Sequence, residues 1–293
     1  MKKSRTGSKS VSTIFTAESI QKILNPQTPF AIREAYNSFR ARLMFTEKGE
    51  SCPVFVFTSV DAGDGKTVST INAAISFADA GKRTLIIDSD MRNPSIHRFF
   101  EIGNDTGLSE FLAGLDSEAA IRKTKRENLY LLPAGTIPPN PTELLASATL
   151  ETLFERAKEE FDCIFIDTPP VGIVADAIML AEYCTGYVIV VRNGHTRVAE
   201  LRATVSDIRH VNGDIAGILT NDVSGKALRG KVGKVYRKRS QRQTHYYYKY
   251  GYGYGYGYGY GYGGSAKKFQ PGAIPTKEKE KKEEPAKGGS KQS

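Results

Sequence analysis

The sequence predicts an α/β fold with a mostly parallel, doubly wound sheet flanked by helices, and three observations carry that expectation. Six short runs, at 54–58, 84–88, 129–132, 162–167, 187–191 and 215–219, are apolar at nearly every position. Strands of that composition are covered on both faces, as in parallel sheets. Stretches of helical character separate the runs, and parallel neighbours need crossovers of about a dozen residues or more. Both ends of the chain are polar, glycine-rich or charged, so one core is confined to about residues 21–224.

The first element is a helix over 31–46, AIREAYNSFRARLMFT. Ile32, Ala35, Phe39 and Leu43 recur at helical spacing, Arg33, Arg40 and Arg42 take other positions, and Pro29 marks the start. Strand 54–58 (VFVFT) passes through a glycine-rich turn into a second helix, VSTINAAISFADA. Strands 84–88 (TLIID) and 162–167 (DCIFID) both end in an aspartate, and LYLL, YVIVV and IAGIL complete the sheet. No run approaches the ~20 apolar residues that cross a bilayer. The opening MKKSRTGSKSVSTIF has no apolar block of the kind a secretory leader needs. Cys52, Cys163 and Cys184 sit in or beside apolar runs without metal-ligand spacing, and are read as reduced packing residues of a cytoplasmic protein.

The net charge of +9 is unevenly divided. Residues 1–20 carry +3 and residues 225–293 carry +13, which leaves residues 21–224 near −7. The basic excess belongs to the ends and points to an anionic partner: a membrane surface, nucleic acid or an acidic protein. Plain solubility is the alternative. Residues 246–262 read YYYKYGYGYGYGYGYGY and hold ten of the 15 tyrosines. Alternating glycines supply no packing partner and raise backbone entropy. The expected organisation is therefore a flexible basic N-terminus (1–20), a domain (21–224), a basic linker (225–245), a tyrosine cluster (246–262) and a disordered Lys/Glu-rich tail (263–293).

Three motifs fall at carboxyl ends of strands, the edge at which doubly wound sheets bind ligands. Ser59-Val60-Asp61-Ala62-Gly63-Asp64-Gly65-Lys66-Thr67 lies between a strand and a helix. It has the core of a phosphate loop, although Val60 stands where the pattern has its first glycine. Backbone N–H groups of Asp61, Gly63, Asp64 and Gly65 would cradle phosphates, Lys66 would meet the β- and γ-phosphates, and the Thr67 hydroxyl would ligate Mg²⁺. Asp88 and Asp90 end the second strand two residues apart, a spacing that shares a face and could bring both to one metal or one hydroxyl. Asp167 ends the strand CIFID, where a carboxylate organises Mg²⁺ in P-loop enzymes. ATP and Mg²⁺ are the implied ligands, and the fold is P-loop NTPase-like.

With these residues in view the chain resembles the bacterial tyrosine kinases of capsule and exopolysaccharide synthesis. The likeness runs over about residues 30–262: the phosphate loop, DSDMRNPSIHRFF, NLYLLPAGTIPPNPTELLAS, FIDTPPV, ADAIMLAEYCTGYVIVVRNG and the terminal tyrosines. The resemblance implies phosphorylation of tail tyrosines between neighbouring subunits, here Tyr246, Tyr247, Tyr248, Tyr250, Tyr252, Tyr254, Tyr256, Tyr258, Tyr260 and Tyr262. It implies a transmembrane polysaccharide co-polymerase-type adaptor that activates the kinase at the inner face of the membrane, a homo-oligomer with a ring among its arrangements, and a cognate protein-tyrosine phosphatase. Lys66, Asp88 and Asp90 take catalytic roles in it, with Asp90 favoured as the group that accepts the tyrosine proton. Thr67, Asp88 and Asp167 hold the metal, and Asn221 borders adenine. Glu34 and Arg40 match the family's assembly helix, whereas Asn37 replaces its middle arginine; Arg33 or Arg42 supplies the missing charge, or the contact is weaker.

Each phosphotyrosine adds about −1.5 to −2, so full modification reverses the tail's sign and is expected to weaken neighbour docking and membrane binding. The rival reading is a partitioning-type ATPase switch whose aromatic, basic tail contacts membrane or single-stranded nucleic acid. Such a switch needs no tyrosine cluster, and nucleic acid is not the expected partner.

Overall fold

A computed structural model of the chain describes residues 20–46, 49–115 and 121–222. The basic segment 225–245, the tyrosine cluster and the Lys/Glu-rich end lie outside the described residues, as do residues 1–19. The strands are β1 (Val54–Ser59), β2 (Thr84–Asp88), β3 (Arg122–Lys123), β4 (Leu129–Leu132), β5 (Cys163–Asp167), β6 (Gly186–Arg192) and β7 (Ile215–Asn221). The helices are α1 (Phe30–Met44), α2 (Lys66–Ala78), α3 (Ile96–Phe100), α4 (Leu108–Leu112), α5 (Pro141–Leu145), α6 (Thr149–Glu160) and α7 (Val198–His210).

The strands form one sheet in the order β3-β4-β2-β5-β1-β6-β7. All six expected strands are present and run parallel. The seventh, β3, pairs antiparallel with β4; two charged residues left no apolar run to read. Although fifth in sequence, β5 inserts between β1 and β2. Asp167 sits level with Phe57 on one side and with Asp88 on the other. Three motif-bearing strands therefore end side by side.

Successive side chains alternate between the faces of a strand. Val54, Val56, Leu85, Ile87, Ile164 and Ile166 face α6, which offers Leu150, Leu153, Phe154 and Ala157. Phe55, Phe57, Ile86 and Phe165 face α2, which offers Ile71, Ala74, Ile75 and Phe77. The Phe77 and Phe165 rings meet edge-on with centroids 5.0 Å apart, a geometry worth about 0.5–1.5 kcal/mol beyond the area it buries. Cover on both faces is why the inner strands read as unbroken apolar runs; β7, at the edge, is only partly covered, with Ile218 half exposed.

The first helix begins after Pro29 as expected, but its buried side is rotated from the predicted stripe. Phe39 and Leu43 turn inward as expected, but Ile32 is 46% exposed, Ala35 is exposed too, and Tyr36 joins the buried side. The physical reason is the surface α1 meets. Tyr36 hydrogen-bonds Asn72 and Ser69 of α2, and burial raises its pKa. Phe39 packs edge-on against Phe57 with centroids 6.2 Å apart. Arg40 donates to the Ser76 carbonyl and, at 3.0 Å, to the Ser76 hydroxyl. That carbonyl lies in the last turn of α2, where helix geometry provides no donor.

The three cysteines are unpaired, and burial pushes the Cys52 thiol up to about 11 and the Cys163 thiol up to about 12, as packing residues require. Among the described residues no helix is long and apolar enough to cross a membrane.

Candidate active site

The turn from β1 into α2 is shaped by its glycines and held from outside. Gly65 has φ of +93°, a left-handed conformation rarely open to other residues. A Cβ there would lie 1.9 Å from the side-chain nitrogen of Asn221. Asn221 ends β7 and donates that nitrogen to the Asp64 carbonyl at 2.9 Å. A Cβ on Gly63 would meet nothing within 4 Å, so the loop's mouth is open. Val60 is buried in the core, which explains a valine at the place of the pattern's first glycine.

Asp64 points into the protein rather than into the mouth. Its Oδ2 accepts the Asp61 N–H at 3.2 Å and the Thr196 hydroxyl at 3.3 Å. Burial raises its pKa, partly offset by the Asp61 N–H. The Asp61 carbonyl in turn accepts the Ser59 hydroxyl at 2.8 Å. Asp61 and Asp64 thus brace the loop.

Lys66 extends to Asp90 Oδ2 at 3.0 Å and Asp167 Oδ2 at 3.6 Å. Burial alone would lower its pKa, but the carboxylates of Asp167 and Asp90 overcome that and raise it. The Thr67 hydroxyl donates to Asp167 Oδ2 at 2.6 Å, and the Thr70 hydroxyl donates to Oδ1 at 3.2 Å. Asp167 is fully buried, and burial raises its pKa against the opposing pull of Lys66 and Thr67.

Asp88 and Asp90 face different partners. β2 ends at Asp88, so strand alternation does not extend to Asp90. Asp88 Oδ2 accepts the Ser95 and Ile96 N–H groups at 3.1 and 3.0 Å, and Oδ1 accepts the Asp90 N–H at 3.3 Å. Burial, then the neighbouring Asp167 charge, pushes Asp88 up to about 7. Asp90 binds the Asn93 N–H through Oδ1 at 3.1 Å, leaving Oδ2 for Lys66.

No cluster of three or more carboxylate, imidazole or thiolate groups that could hold a metal by themselves occurs among the described residues. A hydroxyl beside one buried carboxylate nonetheless fits Mg²⁺. This ion keeps several waters and takes further ligands from substrate phosphates. Thr67 and Asp167 are therefore the groups placed to hold it, and Asp88 stands beside them with both oxygens already on backbone N–H groups.

A clamp beside the site was not foreseen in the sequence. Arg92 grips the fully buried Asp176 through Nε at 2.7 Å and Nη2 at 2.9 Å, and Thr142 donates to Asp176 at 2.6 Å. It fastens the turn after Asp90 to the segment after β5 and to α5. The partners are 84 and 34 residues apart, so sequence spacing held no sign of the contact. Glu34 and Arg40 lie elsewhere, on α1; Glu34 accepts from Asn37 at 2.9 Å and Arg40 caps the end of α2 remote from Lys66. The ten tyrosines lie outside the described residues.

The profile of a family described as an AAA domain matches residues 54–215. A tyrosine-protein kinase CpsD of Streptococcus agalactiae is 34% identical over 212 residues, covering 70% of this chain and 92% of the relative. YwqD of Bacillus subtilis, also named a tyrosine-protein kinase, is 33% identical over 196 residues, covering 67% and 81%. Among solved structures, the chimerical protein CapA2B2 superposes with a TM-score of 0.62 at 31% identity, covering 67% of this chain and 86% of that one. With its phosphate loop and aspartate strands in place and most of each relative's length matched, the chain belongs to the bacterial tyrosine-protein kinase family.

Proposed function

We propose that this protein transfers the γ-phosphoryl group of Mg·ATP to the tyrosines of its own C-terminal cluster. The supporting observation is the meeting of Lys66, Thr67, Asp90 and Asp167 beyond adjacent strand ends, in a chain that carries ten clustered tyrosines. The amides of the loop from Ala62 to Gly65 receive the phosphates, with Asn221 at the rim holding the loop's shape; the Asp61 N–H, expected among them from the sequence, is instead held by the Asp64 carboxylate. Lys66 leaves its carboxylate partners for the β- and γ-phosphates. Mg²⁺, when bound, neutralises charge on the phosphoryl oxygens, and Thr67 and Asp167 orient it. Asp90 then has Oδ2 free to orient a tyrosine hydroxyl and take its proton as the oxygen attacks phosphorus and the bond to ADP breaks. Asp88 supports this turn through its backbone hydrogen bonds. Catalysis is mainly positioning and charge stabilisation.

The same reading places transfer between subunits of an oligomer assembled through α1, with Glu34 and Arg40 on that helix. A membrane adaptor presents the activating segment at the inner face of the membrane. The tail's phosphorylation state regulates capsular or exopolysaccharide polymerisation and export, and a protein-tyrosine phosphatase resets it. The test is incubation of the full chain with Mg·ATP, with and without a cytoplasmic adaptor peptide, followed by mass spectrometry of the tail. Phosphate on the cluster, reduced more than about 10²-fold by Lys66→Ala, is the expected result. ATP hydrolysis that leaves every tail tyrosine unmodified, with the adaptor peptide present, overturns it.

A further inference from the structure

At the end of α2 remote from Lys66 lies a cavity of about 580 Å³, lined by Arg33, Asn37 and Arg40 of α1 together with Asn25, Asp79 and Arg126. α2 has 13 residues, so about 20 Å of helix separates this cavity from the phosphate loop. Its volume is within the ~300–1,000 Å³ of ligand pockets. Three guanidiniums line it against one carboxylate, and nearby Glu34 is engaged by the Asn37 amide. Residues 21–224 as a whole are acidic, near −7, so this positive charge runs against the balance of its own domain.

Two of the guanidiniums are fixed by the main chain. Arg40 is anchored through Nη1 on Ser76, and Arg126 through Nη2 on the Leu24 carbonyl. A guanidinium has five N–H donors, so each keeps several for a ligand. Arg33 makes no side-chain hydrogen bond or ion pair among the described residues, and its whole fork is available. Anchored forks with donors to spare suit the oxygens of a phosphate better than a single carboxylate.

We infer that this cavity binds the phosphate of a phosphotyrosine from the tail cluster of the same chain. Charge selects the occupant. Unmodified, residues 225–293 carry +13 and share the sign of the cavity. Each phosphate adds about −1.5 to −2, so the modified tyrosine alone presents an anion. Reach permits it: the 24 residues from Asp222 to Tyr246 span at most about 80 Å, against ~20 Å along α2. The site reads the product of the proposed reaction and rests on that reading only for the source of its ligand.

The test is fluorescence anisotropy of the full chain, stripped of phosphate by a tyrosine phosphatase and kept without ATP. The probe is a synthetic Tyr-Gly peptide bearing one phosphotyrosine. The phosphopeptide is expected to bind, the unphosphorylated peptide not to bind, and Arg33→Glu and Arg126→Ala each to weaken binding about tenfold or more. Lys66→Ala and saturating Mg·ADP leave binding unchanged if the cavity is the site; loss of binding in either places the peptide in the phosphate loop and overturns the inference. So does binding untouched by both arginine substitutions, equal binding of a glutamate-substituted peptide, or displacement by inorganic phosphate at concentrations comparable with the peptide. Because the probe is synthetic, a chain that fails to phosphorylate its own tail can still pass this test.

Discussion

The side-chain amide of Asn221 donates to the Asp64 carbonyl at 2.9 Å, and the same nitrogen fills the space a side chain at Gly65 would need. The last strand thereby fixes the shape of the first loop. Gly65→Ala brings both this clash and a left-handed alanine, which costs about 1–2 kcal/mol by itself. Nucleotide affinity by titration calorimetry should fall about tenfold or more. Gly65→Ala/Asn221→Ala should regain the part due to the clash. A double variant no better than Gly65→Ala contradicts the steric account.

Asp176→Asn should destabilise the domain by about 1–3 kcal/mol, because an amide group then faces the Arg92 guanidinium and the Thr142 hydroxyl. The lower part of that range follows from Arg92, whose side chain is 41% exposed and can turn to water. Burial opposes the Asp176 charge, yet the Arg92 and Thr142 bonds outweigh it and lower the pKa below the ordinary 3.8. Such a group contributes stability that is complete above the ordinary value and is lost as pH falls through the lowered one. Urea unfolding should therefore give a constant gap between variant and wild type from neutrality to about pH 4, closing only below it.

Asp88 has the opposite sign. Its pKa rises from 3.8 to about 7, so the native state keeps a proton that the unfolded chain releases. Stability falls as pH rises across that window and is level again above it. Asp88→Asn cannot ionise, and Oδ1 of asparagine can still accept from the Ile96 N–H. Without nucleotide, the variant's stability relative to wild type should climb from about pH 4 to about pH 7. Parallel unfolding curves across this range contradict the assignment.

Arg40→Ala leaves the Ser76 carbonyl without its side-chain donor. The expected cost is about 1–2 kcal/mol, a fall in Tm of about 2–8 °C for a domain of this size. Arg40→Lys should recover part of it. Glu34→Ala removes only an exchange with Asn37 on the same helix and should stay within about 0.5 kcal/mol. Equal losses from the two alanine variants contradict the capping role.

What could be read from the sequence depended on how local the signal was. The parallel sheet was legible because strands covered on both faces, such as Val54–Ser59, must be apolar throughout. Lys66 and Thr67 were legible because a loop between strand and helix fixes both neighbours. The order of the strands was not, since nothing in CIFID states that it inserts between β1 and β2. On α1 the spacing located Phe39 and Leu43 but not the outward turn of Ile32, because the facing surface of α2 includes Ser69, Asn72 and Ser76, and Tyr36 and Arg40 suit it better. Asp176 was passed over because its partner Arg92 lies 84 residues away.

Three carboxyl groups, Asp88, Asp90 and Asp167, act on the cation Lys66 at the strand ends. Above about pH 7, where Asp88 has also lost its proton, the site is negative before anything binds. Triphosphate arriving alone would meet repulsion, and Lys66 would be contested between phosphate and aspartate. A metal–nucleotide complex brings its own positive charge and removes both obstacles. Under the proposed function such a site would select the metal-bound form of the nucleotide, and nucleotide affinity should depend far more on divalent cation than the loop amides alone require. Titration in EDTA and in Mg²⁺ measures that difference directly.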